Sequence, residues 1–255
     1  MDKTLCIARN TVREALRDKV MYSLVLFACL VLAFNRILTP LALGEGSKIT
    51  RDVGLSAISL LGLFIVVLSG TALVHREIDK KTIAIILSKP VSRSQFIGGR
   101  FLGLWATIAL ICLGMAGLLQ GVLLVTERAI DLRVLSASLL IVFELMVITS
   151  LAVLFSAAVS PILGGMLTFG AYVAGSFSGD LLRLTQITES DPLRAATHVF
   201  YYVLPNLEMF NLRAAAVHGL PMEPLRFAIA ALYAMVYSTA VLLLAMAVFR
   251  RRELS

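Results

Sequence analysis

The sequence predicts an all-α membrane protein with six transmembrane helices, N-terminus and C-terminus inside, on the basis of composition and segment length. The 255 residues are 59% hydrophobic and only 15% charged, with a mean hydropathy of +0.90. A soluble core of this length could not bury so much apolar surface, because the buried fraction grows slowly with chain length. A span needs about 20 apolar residues. We place the spans at Val20–Leu38, Val53–Val74, Phe101–Val125, Val134–Val159, Ile162–Leu182 and Phe227–Phe249.

The basic residues are distributed unevenly around these spans. With the N-terminus inside, the cytoplasmic pieces hold most of the chain's 23 basic residues but fewer than half of its 16 acidic residues. The positive-inside rule therefore predicts that both termini lie in the cytoplasm. It also argues against nucleic acid as a partner, despite the net charge of +7. Cleavage of the first segment as a signal peptide near Ala42-Leu43-Gly44 is an alternative, but it would leave five spans and remove the charge match.

Residues 1–19 are predicted to form an amphipathic helix that lies in the membrane interface. Its helical period from residue 3 to residue 19 separates two faces. The apolar face and the basic face consist, respectively, of Leu5, Ala8, Val12, Ala15 and Leu16, and of Arg9, Arg13 and Arg17.

The longest cytoplasmic connection, residues 75–100, is predicted to fold as a helix–turn–helix elbow. His75–Leu87 has helical spacing, and Pro90 ends that helix. Ser92 and Gln95 have the spacing of a capping box, so a second helix should begin here. The elbow is either a solvated loop that sets topology or a docking surface, since a simple linker would be rich in glycine or serine. Its charged residues are Glu77, Asp79, Lys80, Lys81, Lys89 and Arg93.

Residues 183–226, between the fifth and sixth spans, are too polar to span and too apolar for a free loop. We expect two short amphipathic helices, Ala195–Leu204 and Leu207–Val217, separated by Pro205-Asn206. They should lie at the outer face of the bilayer or dip into it. Glycines spaced for close helix packing in lipid occur three times, at Gly99 and Gly103, Gly117 and Gly121, and Gly175 and Gly179.

Few residues in the chain carry a chemical signature. It has no GxxxxGK[ST] motif, so ATP hydrolysis by a P-loop is not expected. The three histidines, His75, His198 and His218, are too far apart to predict a metal site, and the three cysteines form no CxxC pair. Glu144 is the acidic residue deep in a span; it is either functional or a packed, hydrogen-bonded group at a helix interface. An intramembrane hydrolase or transferase that uses Glu144 and the outer histidines is a remaining alternative without a supporting signature.

Two segments resemble ABC-2 type transporter permeases. Residues Arg76-Glu77-Ile78-Asp79-Lys80-Lys81-Thr82-Ile83, Ile86-Leu87-Ser88-Lys89-Pro90-Val91-Ser92-Arg93 and Phe96–Gly103 resemble the cytoplasmic motif of that family. Residues Leu204-Pro205-Asn206-Leu207-Glu208-Met209-Phe210-Asn211-Leu212-Arg213 resemble a segment of the subgroup that includes the nitrous-oxide-reductase maturation permease. The likeness covers essentially the whole chain in span number and loop placement. Lys81 stands where many of these permeases have glycine, which places the chain in a subgroup.

The resemblance implies a single ABC-2 type transmembrane domain over residues 1–255, located in a bacterial inner membrane and acting in export. Such a subunit would form a homodimer, contact membrane lipid and bind two copies of a separate ATP-binding subunit. An accessory extracytoplasmic protein is a further partner in this family. ATP and Mg²⁺ would be bound by the partner subunit, so this chain would hold no cofactor and would not itself be an enzyme.

The resemblance also assigns roles to residues. Residues 1–19 would be the interfacial connecting helix and His75–Leu87 the coupling helix, in which Glu77 would contact the ATPase. The coupling region would further include Asp79, Lys80, Lys81, Thr82, Lys89, Pro90 and Arg93, and the outer re-entrant motif would include Pro205, Asn206 and Glu208. The alternative is a membrane scaffold or mechanical regulator that recruits a cytosolic ATPase without transport. Lipid, peptide, drug, polysaccharide and a sulfur species all remain open as substrates.

Overall fold

The structure is a computed structural model that describes residues 3–17, 46–70, 93–128, 130–179, 204–218 and 223–251, with single positions at 22, 26, 29, 30, 33 and 220. The described residues are helical and contain no strand, which confirms the predicted all-α class. They form seven α-helices: α1 (Lys3–Ala15), α2 (Gly46–Ile65), α3 (Arg93–Glu127), α4 (Leu132–Ala158), α5 (Pro161–Ser176), α6 (Arg213–His218) and α7 (Pro224–Arg251). A π-helical turn, Val66–Gly70, continues α2, and a 3₁₀ turn, Glu208–Phe210, precedes α6.

Four helices are long and apolar enough to cross a membrane. They are Gly46–Gly70, Ser94–Glu127, Leu132–Ala158 and Pro224–Phe249, and they correspond to the second, third, fourth and sixth predicted spans. The predicted first span lies almost wholly outside the described residues. The fifth predicted span contains α5, whose 16 residues extend about 24 Å, less than the hydrocarbon core of about 30 Å. The part of this span beyond Gly179 is not among the described residues.

Helix α4 lies at the centre of the bundle. It packs against α2, α3, α5, α6 and α7. Within its most apolar stretch, 67% is buried inside the bundle, compared with 17% for the corresponding stretch of α7. Glycines on α2 and its π turn allow a close approach to α4: a Cβ on Gly62 would overlap Leu145, and one on Gly70 would lie 2.9 Å from the Cβ of Ala152. In contrast, α7 has an exposed apolar face suited to hydrocarbon, formed by Leu225, Ile229, Leu232, Met235, Val236, Leu243 and Leu244.

The turn between α4 and α5 is as short as the two-residue gap between the fourth and fifth predicted spans, Val134–Val159 and Ile162–Leu182. Only Val159 and Ser160 separate the two helices, and Pro161 is the first residue of α5. Proline is well tolerated at this position because the first amide of a helix has no acceptor within the helix. The sequence therefore predicted this helical hairpin correctly.

Helix α1 packs across the first turns of α3, and we call this contact the α1–α3 junction. It is formed by Thr4, Ile7, Ala8 and Thr11 of α1 and by Gly99, Arg100 and Gly103 of α3. A Cβ on Gly99 would lie 2.9 Å from the carbonyl oxygen of Thr4, and one on Gly103 would lie 2.6 Å from that of Ala8. This confirms the packing role predicted for the first glycine pair and identifies its partner.

An ion pair also holds the α1–α3 junction together. Arg100 is only 6% exposed, and its Nη1 lies 3.0 Å from Oε2 of Glu14. The guanidinium carbon lies 5.7 Å from the centroid of the Phe96 ring, a cation–π geometry. The junction thus combines backbone approach at glycine with a partly buried charge interaction.

The face that α1 uses for packing differs from the predicted one. Leu5 was placed on the apolar face but is 59% exposed, whereas Thr11 is 1% exposed. The two glycines of α3 meet the side chains of Ile7 and Thr11 and the backbone of α1, so these residues define the packing face. The helix is therefore rotated so that Leu5 faces away from α3. The basic residues Arg9, Arg13 and Arg17 are exposed as predicted, but the helix ends at Ala15, before the predicted end at residue 19.

The second glycine pair does not form a packing surface with the described residues. A Cβ on Gly117 or Gly121 would meet no atom within 4 Å. The spacing alone therefore did not distinguish a contact face from an open one.

Substitution of Gly103 by alanine should destabilise the protein by about 1–3 kcal/mol, because the added methyl group would overlap Thr11 and the Ala8 carbonyl. The matched control is Gly117→Ala, where space is open and alanine should be neutral or stabilise the helix by up to about 1 kcal/mol. Thermal unfolding of the two variants in detergent measures the difference. Equal melting temperatures would show that α1 does not pack at Gly103.

Candidate functional site

A polar cavity of about 180 Å³ lies between α2, α4, α5 and the segment 204–213. It is located toward the end of the bundle where α2, α4 and α7 begin. Its wall consists of Leu55, Ser59, Ala137, Ile141, Glu144, Tyr172, Ser176, Leu207, Glu208, Phe210, Asn211, Leu212 and Arg213. We call it the Glu144 cavity, since this residue is its most deeply buried charged group.

Glu144 lies near the middle of α4 and is 9% exposed. Its carboxylate lines the cavity and forms no hydrogen bond or ion pair with the described residues. Buried polar groups in proteins are normally hydrogen-bonded, because an unpaired charge in an apolar environment is costly. The Glu144 carboxylate can therefore accept hydrogen bonds from a group that occupies the cavity. The packed, hydrogen-bonded glutamate that the sequence offers as an alternative has no hydroxyl partner among the described residues.

Arg213, the first residue of α6, supplies the positive charge of the Glu144 cavity. Its Nε is buried and has no hydrogen-bond partner among the described residues. It interacts electrostatically with Glu144, yet the two form no ion pair. Arg213 and Asn211 also line a neighbouring cavity of about 440 Å³, whose wall includes Lys48, Asp52 and His218. These two residues therefore lie between the Glu144 cavity and a wider opening.

Hydroxyl groups also line the Glu144 cavity. The Oγ of Ser59 on α2 lies 3.2 Å from the Oη of Tyr172 on α5, and this hydrogen bond joins two helices across the site. Glu208, which is exposed, provides a second carboxylate at the cavity. Among the described residues no group of three or more potential ligands could hold a metal ion.

The segment 204–210 is fixed to α5 and α7 by specific hydrogen bonds. The backbone N–H of Asn206 donates to the Tyr233 hydroxyl over 3.0 Å, and the Ser178 hydroxyl donates to Oδ1 of Asn206 over 3.0 Å. The backbone N–H of Leu207 donates to the Gly175 carbonyl over 3.2 Å. Pro205 is buried beside them. Of the predicted motif residues, Glu208 lines the cavity, whereas Pro205 and Asn206 directly precede the segment that lines it.

The third glycine pair makes this attachment feasible. A Cβ on Gly175 would lie 2.7 Å from the Pro205 carbonyl oxygen, and one on Gly179 would overlap the Glu208 carboxylate. The predicted packing role of this pair is confirmed, although its partner is an irregular segment and not a second long helix.

The predicted helix Leu207–Val217 is interrupted. The chain forms a 3₁₀ turn at Glu208–Phe210, leaves helical geometry at Asn211, and resumes as α6 at Arg213. Burial of Phe210 (1% exposed) and Leu212 (6% exposed) holds the irregular stretch against the bundle, and the Asn211 side chain accepts from the Arg213 amide at 3.3 Å. The other predicted outer helix, Ala195–Leu204, lies outside the described residues apart from Leu204.

A cluster of charges that the sequence reasoning missed lies at the same end of the bundle. Arg51 of α2 pairs with Glu127 at the end of α3 (2.6 Å) and with Asp131 before α4 (3.0 Å). Gln120 donates to the Asp131 backbone carbonyl over 2.6 Å. These contacts hold the start of α2 to the α3–α4 connection. The sequence did contain a signal for this cluster, because the three charged residues all lie next to the predicted outer ends of spans: Arg51, Glu127 and Asp131.

Most of the predicted coupling residues are outside the described part of the chain. This applies to Glu77, Asp79, Lys80, Lys81, Thr82, Lys89 and Pro90. Arg93 is described as the first residue of α3, where the capping-box pattern predicted a helix to begin. The elbow itself stays a prediction.

Replacement of Tyr233 by phenylalanine should destabilise the protein by about 1 kcal/mol, because the amide of Asn206 loses its acceptor. Tyr237→Phe is the matched control, since its hydroxyl makes no hydrogen bond with the described residues. Hydrogen exchange at the Asn206 amide should rise only in the Tyr233 variant, together with a lower unfolding temperature. Identical exchange in both variants would contradict the proposed attachment.

Comparisons with known proteins give this chain no relative from which a function could be transferred. The chain matches no family model, and no curated protein matches it.

Proposed function

We propose that this chain is the transmembrane subunit of an ATP-driven ABC-2 type transporter that acts in export across a bacterial inner membrane. The observation that carries the proposal is the α1–α3 junction. It lies at the C-terminal end of the predicted elbow, so that a force applied to residues 75–92 would act on α1 and α3 as one unit. Further support comes from the four candidate spans and from the resemblance of the elbow and of residues 204–213 to this family.

In the proposed mechanism, α3 transmits movement from the elbow to the other end of the bundle. The helix is continuous from Arg93 to Glu127, and its 35 residues span about 50 Å. At its far end, Glu127 pairs with Arg51 beside the Glu144 cavity. ATP binding to the partner subunit would displace the elbow, and the two conformations would differ in their contacts there, as coupling requires.

The proposal includes six spans with both termini inside. Residues 1–19 would lie in the interface, and residues 183–226 would contain the re-entrant segment at the outer face. Two copies of the chain would form a homodimer that binds two ATP-binding subunits, with ATP and Mg²⁺ held by those subunits alone. An accessory extracytoplasmic protein could then approach the outer face.

Glu77→Ala should weaken or uncouple the ATP-binding subunit while the chain stays folded, because Glu77 is the proposed contact in the elbow. Glu223→Ala is the control, since Glu223 is an exposed residue at the start of α7 and lies on the opposite side in the proposed topology. Co-purification and ATP hydrolysis of the complex measure the effect. An unchanged complex with unchanged coupling would refute docking at the elbow. Solute movement in liposomes that hold the complex distinguishes a transporter from a scaffold.

Arg100→Gln should leave the ATP-binding subunit bound but reduce stimulation of its ATP hydrolysis about fivefold or more, the scale of ordinary coupling energies. The reason is that Arg100 joins α1 to α3 through Glu14. Arg9→Gln is the control, because Arg9 is exposed on α1 and does not belong to the junction. Equal stimulation in both variants would show that the junction does not transmit the movement.

A further inference from the structure

We propose that the Glu144 cavity binds a small zwitterionic group, with its cationic end at Glu144 and its anionic end at Arg213. Binding of this group is a property of the cavity itself. Only its status as transported cargo rests on the transport function proposed above.

The arrangement of charges carries the inference. Glu144 and Arg213 line the same cavity, interact electrostatically and yet form no ion pair with each other. Neither is paired with any other described residue. Arg51, at the same end of the bundle, in contrast pairs with both Glu127 and Asp131. Because Arg51 is paired and Glu144 and Arg213 are not, we infer that a ligand binds between Glu144 and Arg213.

A zwitterion fits this cavity better than a simple anion or a simple cation. An anion at Arg213 would leave the buried Glu144 carboxylate without a counter-charge, and a cation at Glu144 would leave Arg213 unpaired. Breaking or leaving incomplete a buried charge pair is strongly unfavourable. Glu208 adds a second carboxylate to the lining, while Ser59 and Tyr172 supply hydroxyl groups that can donate or accept.

The volume limits the size of the group. A cavity of 180 Å³ corresponds to about six water molecules at roughly 30 Å³ each. This space suits an amino-acid-sized solute or the headgroup of a zwitterionic lipid, and it excludes a whole peptide or an oligosaccharide unit. Besides its charged and polar residues, the cavity lining includes three apolar side chains, Leu55, Ile141 and Phe210.

Access to the cavity comes from the end of the bundle where α2 begins. The neighbouring cavity of about 440 Å³ shares Asn211 and Arg213 with the Glu144 cavity and includes Asp52 and His218. Glu208 is exposed although it lines the inner site. A solute or a lipid headgroup would therefore enter past Arg213, which lies between the two spaces.

The test uses the full-length protein in nanodiscs of phosphatidylglycerol and three probes of matched size: β-alanine as zwitterion, butyrate as anion and pentylamine as cation. Calorimetry or ligand-observed NMR measures their binding without ATP or any partner subunit. We expect β-alanine to bind at least about tenfold more tightly than either singly charged probe, since charged hydrogen bonds of this kind are worth about a factor of ten or more. Equal binding of butyrate would overturn the proposal. Absence of β-alanine binding would also overturn it, unless a lipid headgroup already occupies the cavity, a case that the second lipid composition tests.

Two variants and their controls assign the charges. Glu144→Gln and Arg213→Gln should each weaken β-alanine binding about tenfold or more, whereas Glu223→Gln, just before α7, and Arg226→Gln, in its first turn, should not, because both residues are exposed. Unchanged affinity in the first pair would place the ligand elsewhere and reject the site. If a variant does not fold, the probe comparison on the unaltered protein still decides the question.

A second lipid composition distinguishes a headgroup from a free solute. If phosphatidylethanolamine supplies the zwitterion, nanodiscs of this lipid should abolish β-alanine binding, and the lipid should co-purify with the unaltered protein but not with Arg213→Gln. If the ligand is a free solute, β-alanine should bind equally in both lipids. Absence of both β-alanine binding and selective lipid retention would refute the proposal. Because no ATPase enters these measurements, such a failure would leave the proposed transport function standing.

Discussion

Close packing around α4 determines where the other described elements can lie. Gly62 and Gly70 let α2 and its π turn approach α4 so closely that a side chain at either position would collide with Leu145 or Ala152. Association of helices in lipid depends on such van der Waals contact, because lipid supplies little hydrophobic driving force between apolar helices. With α2 fixed on one side and α5 joined by a two-residue turn, Glu144 of α4 necessarily faces the space between them.

The polar residues of the bundle divide into two groups that behave differently. Most buried hydroxyls donate to a backbone carbonyl of their own helix, four residues earlier, and so need no partner on another helix; examples are Thr50, Thr107, Ser138, Thr149 and Thr168. Glu144 and Arg213 have no such local solution. An ionisable group within a membrane helix is costly enough that it marks a functional site by default. Glu144 on α4 is such a group, and Arg213 from the short helix α6 lines the same cavity.

Local patterns in the sequence predicted local features well. Hydropathy located four of the helices, and proline at residue 161 located the turn between α4 and α5, because both signals act within a few residues. The face of α1 and the contacts of Arg51 were not predicted, since they depend on how distant helices meet. The role of Arg213 was missed for the same reason: nothing in the sequence shows that it shares a cavity with Glu144. Of the three glycine pairs with GxxxG spacing, two form contact surfaces with the described residues and one, Gly117 and Gly121, does not. The spacing alone cannot distinguish these cases, because a contact depends on which segment lies opposite the glycines.

Unequal attachment of the cavity walls suggests which wall would move during the proposed transport cycle. The wall formed by α2 and α4 is held by close packing at glycine and by the ion pairs of Arg51, which join α2 to the α3–α4 connection. The wall formed by residues 204–213 is irregular and is held mainly by a few hydrogen bonds from Asn206 and Leu207 together with buried Phe210. Segments with few backbone bonds open at lower free energy than packed helices. A movement transmitted along α3 would therefore shift residues 204–213. Within this segment, Arg213 lies between the Glu144 cavity and the wider cavity.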